Sequence, residues 1–394
     1  MHFPLLSPQM NEEFERRLTR IRLAMQRTGT DAVLLASTVN FFYLAGGIWR
    51  GYFYVPAAGS PRLFLIASPK EAEGIETPIR KPEQIPALLA ELGYPVAVKV
   101  GLEFDDLYYS EVERLRKLFP EAEITNASAI LREARMIKTP LEIQFMKEDG
   151  LHQSAVYSRI GKVYREDMTD VEFQTEIERL LRLEGCLGFL RVAGSRMEIN
   201  MGSLIAGPNA DEPTPYDFSM GGTGSDPSLP VGASGMIIKP GMAVMVDMNG
   251  GFNGYQTDMT RCWTLGDVPE IAVKAHECSR AILRDLETFS RPGVEIGEMY
   301  RRAVRIAEEW GLSSFFMGHR HKVSFIGHGV GIELNEQPVV MERNKMLLQE
   351  NMTIALEPKF VIPEVGALGC ENTYAVRADG LENLTTYKEN LQQL

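Results

Sequence analysis

The chain has 394 residues and carries 41 Lys and Arg against 53 Asp and Glu, a net charge of −12. That balance argues against a nucleic-acid groove or a polybasic membrane patch. Hydrophobic residues are 44% and charged ones 24%, as in ordinary globular proteins, and no apolar run approaches the roughly 20 residues of a membrane span. Two domains are expected at this length. The opening MHFPLLSPQMNEEFERR lacks the basic and apolar regions of a signal peptide. Cys186, Cys262, Cys278 and Cys370 show no CxxC spacing. A soluble cytoplasmic protein with reduced thiols is therefore expected.

Asn11 opens an amphipathic helix with Phe14, Leu18, Ile21 and Met25 on one stripe, ending near Gly29. The strand DAVLLAS follows, then a loop reaching NFFYLAGG, then GYFYVPAAGSPRLFLIAS as a hairpin turned at Gly59-Ser60-Pro61. Helical signals at PEQIPALLAELG and SEVERLRKLF flank the strand VAVKVGLEF. This alternation predicts an α/β N-terminal domain with a mixed sheet over 1–133.

Thr139-Pro140-Leu141-Glu142 reads as a helix start: N-cap threonine, proline at the first position, glutamate closing the capping box. Thr169-Asp-Val-Glu172 repeats the signal. Further helices are expected at 268–289 and 296–310, the second stopped by Gly311. An α+β domain over 134–394 follows from this pattern. Between its halves, residues 206–235 are rich in Gly, Pro, Ser and Asp without periodicity, as in a pocket wall or lid. A surface insertion is the plain alternative.

The stretch AVMVDMNGGFNGYQTDMTRCWTL reads as a β-hairpin. With its turn between Phe252 and Asn253, Asp247 lies opposite Asp258, with Cβ atoms roughly 5 Å apart. Carboxylates that close repel unless a proton or cation lies between them. Three more ligand-type residues follow: His328 in SFIGHGVGIELNEQP, Glu357 in MTIALEPKF and Glu371 in GALGCENTYAV. Taken singly, each has a structural explanation, as a hairpin end, a turn cap, a loop histidine or a strand edge before Pro358. Taken together, four carboxylates and an imidazole suit two divalent cations, with manganese favoured and cobalt, zinc or iron also compatible.

The ordered set Asp247, Asp258, His328, Glu357, Glu371, within VDMNGGFNGYQTDMTR, GHGVGIELNE, LEP and CENT, resembles the pita-bread metallopeptidase superfamily of methionine aminopeptidase, aminopeptidase P, prolidase and creatinase. NFFYLAGG, REARMIKTPLEIQFMK and AGPNA extend the resemblance over nearly the whole chain. It implies a pita-bread catalytic domain with an internal pseudo-twofold duplication, a creatinase-like N-terminal domain and a homodimer. It also implies hydrolysis of small peptides of the Xaa-Pro type, with a bridging hydroxide attacking the scissile carbonyl. Asp258 and Glu371 would bridge the two ions, Asp247 would hold one, and His328 with Glu357 the other. Glu357 would also pass a proton to the leaving amine.

The chain departs from the peptidase pattern at accessory histidines. Pro213-Thr214, Ser324 and Asn335 stand where such histidines are common, Gly369 stands where many have arginine, and no histidine occurs between His152 and His276. Asn335 still offers a hydrogen-bonding amide as a catalytic candidate. Arg191, Arg196, Thr214 and His321 are candidate substrate contacts, with surface ion pairing the alternative for the arginines and a solvated turn for His321. A non-peptide C–N hydrolase or a metal-dependent lyase on the same scaffold is the alternative activity. A metal-free creatinase-like enzyme and a non-catalytic binding protein fit the intact ligand set less well.

Overall fold

The computed structural model describes residues 8–66, 75–194, 198–216, 218–219 and 221–394, and the chain divides into two compact units, Met1–Arg135 and Met136–Leu394. In the first unit, α1 (Pro8–Thr28) leads to β1 (Ala32–Leu35). The segment expected as a loop up to NFFYLAGG is instead a helix, α2 (Thr38–Ala45). Ser37 caps it through the Asn40 N–H, and Gly46 ends it at a φ of 67°, so the cap residues specified a helix too short to display periodicity. There follow β2 (Gly51–Pro56), β3 (Arg62–Ile66), β4 (Glu76–Ile79), α3 (Ile85–Glu91), β5 (Lys99–Leu102), α4 (Tyr109–Arg116), β6 (Glu123–Asn126) and α5 (Ser128–Met136). The six strands form one sheet in the order β4-β3-β2-β1-β5-β6. Antiparallel β1/β2 and β2/β3 pairs lie beside parallel β1/β5 and β5/β6 pairs, so the sheet is mixed.

The second unit opens with α6 (Pro140–Tyr157) and α7 (Asp170–Glu184), each started by a complete capping box. At α6 the Thr139 N–H donates to Glu142 Oε2 at 2.7 Å and the Glu142 N–H to Thr139 Oγ1 at 3.2 Å, a cap contributing about 1 kcal/mol. Next come β7 (Gly202–Ala206), β8 (Ala243–Asn249) and β9 (Asp258–Thr264), then α8 (Glu270–Phe289) and α9 (Ile296–Glu309). The chain ends with β10 (Phe325–Gly329), β11 (Glu336–Met341), β12 (Thr353–Leu356), β13 (Lys359–Ile362), β14 (Gly366–Gly369), β15 (Asn372–Arg377), β16 (Gly380–Asn383) and β17 (Gln392–Gln393).

Two helices followed by antiparallel strands thus occur twice. The first pair packs its buried Tyr157, Phe173 and Ile177 with Val244, Val246 and Trp263 of β8 and β9. The second pair packs Ile282, Leu286 and Met299 with Ile326, Ile354 and Tyr374 of the later strands. The sheets run β17-β9-β8-β7 and β11-β10-β12-β15-β16, with β13-β14 as a separate pair. Among the described residues no helix is long and apolar enough to cross a membrane.

Candidate metal centre

The hairpin that carries the two aspartates has a longer connection than its sequence suggests. Asn249 pairs with Asp258, and Asp247 with Thr260, two residues away from the register expected. Residues 250–257 all lie in the connection, because Asp149 pulls them inward. Its Oδ1 accepts the Phe252 N–H at 2.6 Å and its Oδ2 accepts the Thr257 hydroxyl at 3.0 Å. The shift is even, so the period-two alternation still points Asp247 and Asp258 to one face as diagonal neighbours.

Each remaining ligand sits where a strand breaks or ends. His328 lies in β10 at a register irregularity against β11. Its Nδ1 is 3.1 Å from the Gly329 carbonyl, so Nδ1 carries the proton and Nε2 is left as a lone-pair donor. Glu357 directly follows β12, held by its N–H to the Ile326 carbonyl at 2.9 Å. Glu371 falls between β14 and β15, and its N–H donates to the Thr260 carbonyl at 3.1 Å. Buried Arg261 clamps these two segments, donating to the carbonyls of Thr260 at 2.8 Å and Glu371 at 2.7 Å and to Asn372 Oδ1 at 2.8 Å. Thr260 Oγ1 donates to Glu371 Oε2 at 2.6 Å, and the Thr373 hydroxyl bridges the Asp258 N–H and carbonyl. The GHGVGIELNE loop is fixed from below by Glu336, whose Oε2 receives Lys138 Nζ at 2.8 Å in a buried ion pair.

All five expected ligands come together. His328 Nε2 is 3.8 Å from Asp258 Oδ2 and 3.7 Å from Glu357 Oε1. Two ligand groupings form, Asp258–His328–Glu371 and Asp247–Glu357–Glu371. Lys359, absent from the expected site, enters the second grouping. Its ammonium is 2.7 Å from Asp247, 2.9 Å from Glu357 and 3.3 Å from Glu371, and it also donates to Ser219 Oγ at 3.1 Å. The sequence did contain a signal: a lysine two residues beyond Glu357 in an apolar strand, where an ionised side chain needs a partner.

Titration follows these neighbours. Burial, and then the charges of Asp247 and Glu357, push the Asp258 carboxyl well above its ordinary value. Burial, and then Asp258, do the same to Glu371. Burial would raise Asp247 as well, but Lys359 outweighs it and holds this carboxyl below its ordinary value. At Asp258 and Glu371 the pull of Lys359 is outweighed by burial and like charges. Glu371 Oε1 is buried without a hydrogen-bond partner among the described residues, and the donors of the His328 grouping are two carboxylates and one imidazole nitrogen, with Glu357 Oε1 3.7 Å from that nitrogen. An oxygen-rich set with one nitrogen and one orphaned oxygen fits a divalent ion.

The cluster opens into a cavity whose walls include Leu190, Ile199, Phe218, Ser219, Val231, Phe325 and Asn335. Segment 206–235 therefore supplies part of the wall, braced by Asn209, which donates to the Gly232 carbonyl at 2.9 Å and accepts the Thr223 N–H at 2.9 Å. The substrate candidates are dispersed. Asn335 lines the cavity, but its Oδ1 accepts the Ala193 N–H at 2.7 Å and its Nδ2 donates to the Ala193 carbonyl at 3.3 Å. Its amide thus ties down the 190s segment. Arg191 stacks over the Phe189 ring at 4.6 Å and its carbonyl accepts the Leu334 N–H at 2.7 Å. Thr214 and His321 line a neighbouring cavity, which shares Phe218 and Ser219 with the first. Arg196 lies outside the described residues.

A four-carboxylate, one-histidine centre on a duplicated α+β scaffold defines a metallohydrolase, and comparison with known proteins places it further. Residues 144–378 match metallopeptidase family M24, and residues 17–137 match the creatinase/prolidase N-terminal domain. The chain belongs to metallopeptidase family M24, the pita-bread class that includes the aminopeptidase P and prolidase-like enzymes, and that membership implies divalent metal ions. It is 24% identical to the Xaa-Pro dipeptidase of Pyrococcus furiosus over 95% of this chain and 99% of that protein. Its fold matches the Xaa-Pro dipeptidase of Bacillus anthracis with a TM-score of 0.80 at 22% identity, covering 97% of this chain and 100% of the other. The prolidase of Pyrococcus horikoshii matches with a TM-score of 0.75 at 22% identity, covering 94% and 98%.

Proposed function

We propose that this protein is a metal-dependent dipeptidase acting on small peptides of the Xaa-Pro kind. The observation that carries the reading is the meeting of Asp247, Asp258, His328, Glu357 and Glu371, drawn from five separate segments, with the first four lining one cavity. The relatives named as Xaa-Pro dipeptidases support the substrate class. They do not favour the alternative of a non-peptide C–N hydrolase or lyase.

Asp258, His328, Glu371 and Glu357 would hold the ion, which when bound polarises a carbonyl and makes water a nucleophile near neutral pH. Manganese is the first expectation for this donor set, with cobalt, zinc or iron as competitors. Charge alone would call for a pair of ions, but Lys359 already contributes a positive charge.

The chain's own residues do the rest. His328, with its proton fixed on Nδ1, directs Nε2 inward. Glu357 Oε1 faces His328, placed to take a proton and pass it to the leaving amine. The apolar cavity wall excludes water and strengthens these interactions. Four cysteines that are buried and free of disulfides support a reducing, cytoplasmic setting, and the resemblance supports a homodimer.

The test is to strip the protein with a chelator, restore Mn2+, Co2+, Zn2+ or Fe2+ separately, and assay Xaa-Pro dipeptides beside simple amides and methylated amines. Metal-dependent cleavage of the dipeptides is expected. Cleavage of the non-peptide substrates alone would overturn the reading.

A further inference from the structure

The two ligand groupings share Glu371, as a two-ion centre requires, yet only one of them is open. Nζ of Lys359 sits at the hub of the other, within 2.7–3.3 Å of all three of its carboxylates. A divalent ion there would stand roughly 2.0–2.2 Å from the same oxygens, so ion and ammonium compete for one space. The lysine is also well anchored. Its side chain is 0% exposed, its residue pairs with Gly369 across β13 and β14, and its carbonyl accepts the Met317 N–H at 2.8 Å. Asp247, Glu357 and Ser219 take hydrogen bonds from the ammonium, so its protons are turned into the cluster.

We infer that Lys359 permanently occupies one of the two cation positions of this centre, which therefore binds a single divalent ion, between Asp258, His328, Glu371 and the near oxygen of Glu357. The inference rests on the metal-dependent reading above and specifies how that centre is built. In charge, the lysine leaves three of the four negative charges and one divalent ion neutralises two of these, so one remains; a second ion beside the lysine would leave an excess positive charge. Lys359 is a positioning residue. It sets Asp247, Glu357 and one oxygen of Glu371 in place and turns the other oxygens toward the ion. An ammonium offers no exchangeable coordination position, so polarisation of substrate and activation of water fall to the single ion. Asp247, a metal ligand by its place in the sequence, becomes the lysine's counter-ion.

The test is metal stoichiometry of the purified, reconstituted full-length protein, by elemental analysis and Mn2+ titration. About one tightly bound Mn2+ per chain is expected, with the spin-resonance signal of an isolated ion, and Lys359→Gly is expected to raise the count to about two, the number held by two-metal hydrolases. Two tightly bound, spin-coupled ions in the unaltered protein would overturn the inference and leave the metal-dependent reading standing. No bound ion would overturn that reading itself. A Lys359→Gly protein that still takes one ion would show that the lysine is not what closes the second position. Should that variant fail to fold, the count and signal of the unaltered protein decide alone.

Discussion

The two sides of the carboxylate cluster differ in what neutralises them. Toward Asp247, a lysine from the protein's own strand meets three carboxylates, and Asp247 is held below its ordinary pKa. Toward His328, burial and like charges raise Asp258, and a buried oxygen of Glu371 has no hydrogen-bond partner among the described residues. The first side is complete as the chain folds and the second is complete only with an added cation. An identical set of ligand residues can therefore give a symmetric or an asymmetric centre, depending on one side chain just outside the set.

Mutation should expose that asymmetry. Asp258→Asn weakens the ion side and is expected to lower activity by roughly 10²–10³-fold, the scale of losing one pre-organised electrostatic group, with metal affinity falling about 100-fold. Asp247→Asn is expected to leave metal affinity nearly unchanged and to lower thermal stability instead, because it removes one of the three carboxylates around the buried Lys359 ammonium, a charged hydrogen bond contributing about 1.5–3 kcal/mol. Calorimetric Mn2+ titration and thermal denaturation of both variants check this. Equal loss of metal in the two would break the comparison.

The backbone clamp sharpens it. Arg261→Lys keeps a cation but cannot hold the Thr260 and Glu371 carbonyls through one nitrogen and Asn372 Oδ1 through another. Metal affinity should fall about 10–100-fold, the usual effect of disturbing the groups that orient ligands, while the Lys359 contacts to Asp247 and Glu357 persist. Metal titration reads this out, and an unchanged affinity would show that the two segments need no clamp.

The smallest expected effect concerns Asp149, which shapes the connection leading into Asp258. Burial, the largest influence, pushes its carboxyl up from 3.8 to about 7. Between those values the folded protein holds a proton that the unfolded chain has lost, so stability from this position is present at low pH and declines as pH rises toward 7. Asp149→Asn should flatten that part of the stability–pH curve, measured as denaturation midpoints from pH 4 to 8. An unchanged slope would show that the carboxyl is ionised throughout.

Legibility in the sequence followed how local the signal was. The capping boxes at Thr139 and Thr169 announced α6 and α7 because every interaction lies within four residues. The ligand residues were legible because a carboxylate in an apolar run is unusual wherever it folds. The hairpin register was not, since Asp149, 103 residues from Phe252, sets it from another element. Asn335 reads as a catalytic donor in the sequence, and only the fold shows its amide bonded to Ala193, 142 residues away. Lys359 was visible as an oddity in a buried strand, but only the fold shows which carboxylates it reaches.

An anomalous-diffraction map of Mn2+-loaded crystals addresses the asymmetric centre most directly. The account predicts one manganese peak per chain, ligated by Asp258, His328, Glu371 and Glu357, with Lys359 Nζ between Asp247 and Glu357. Two peaks per chain, with the lysine displaced from the Asp247 carboxylate, would contradict it.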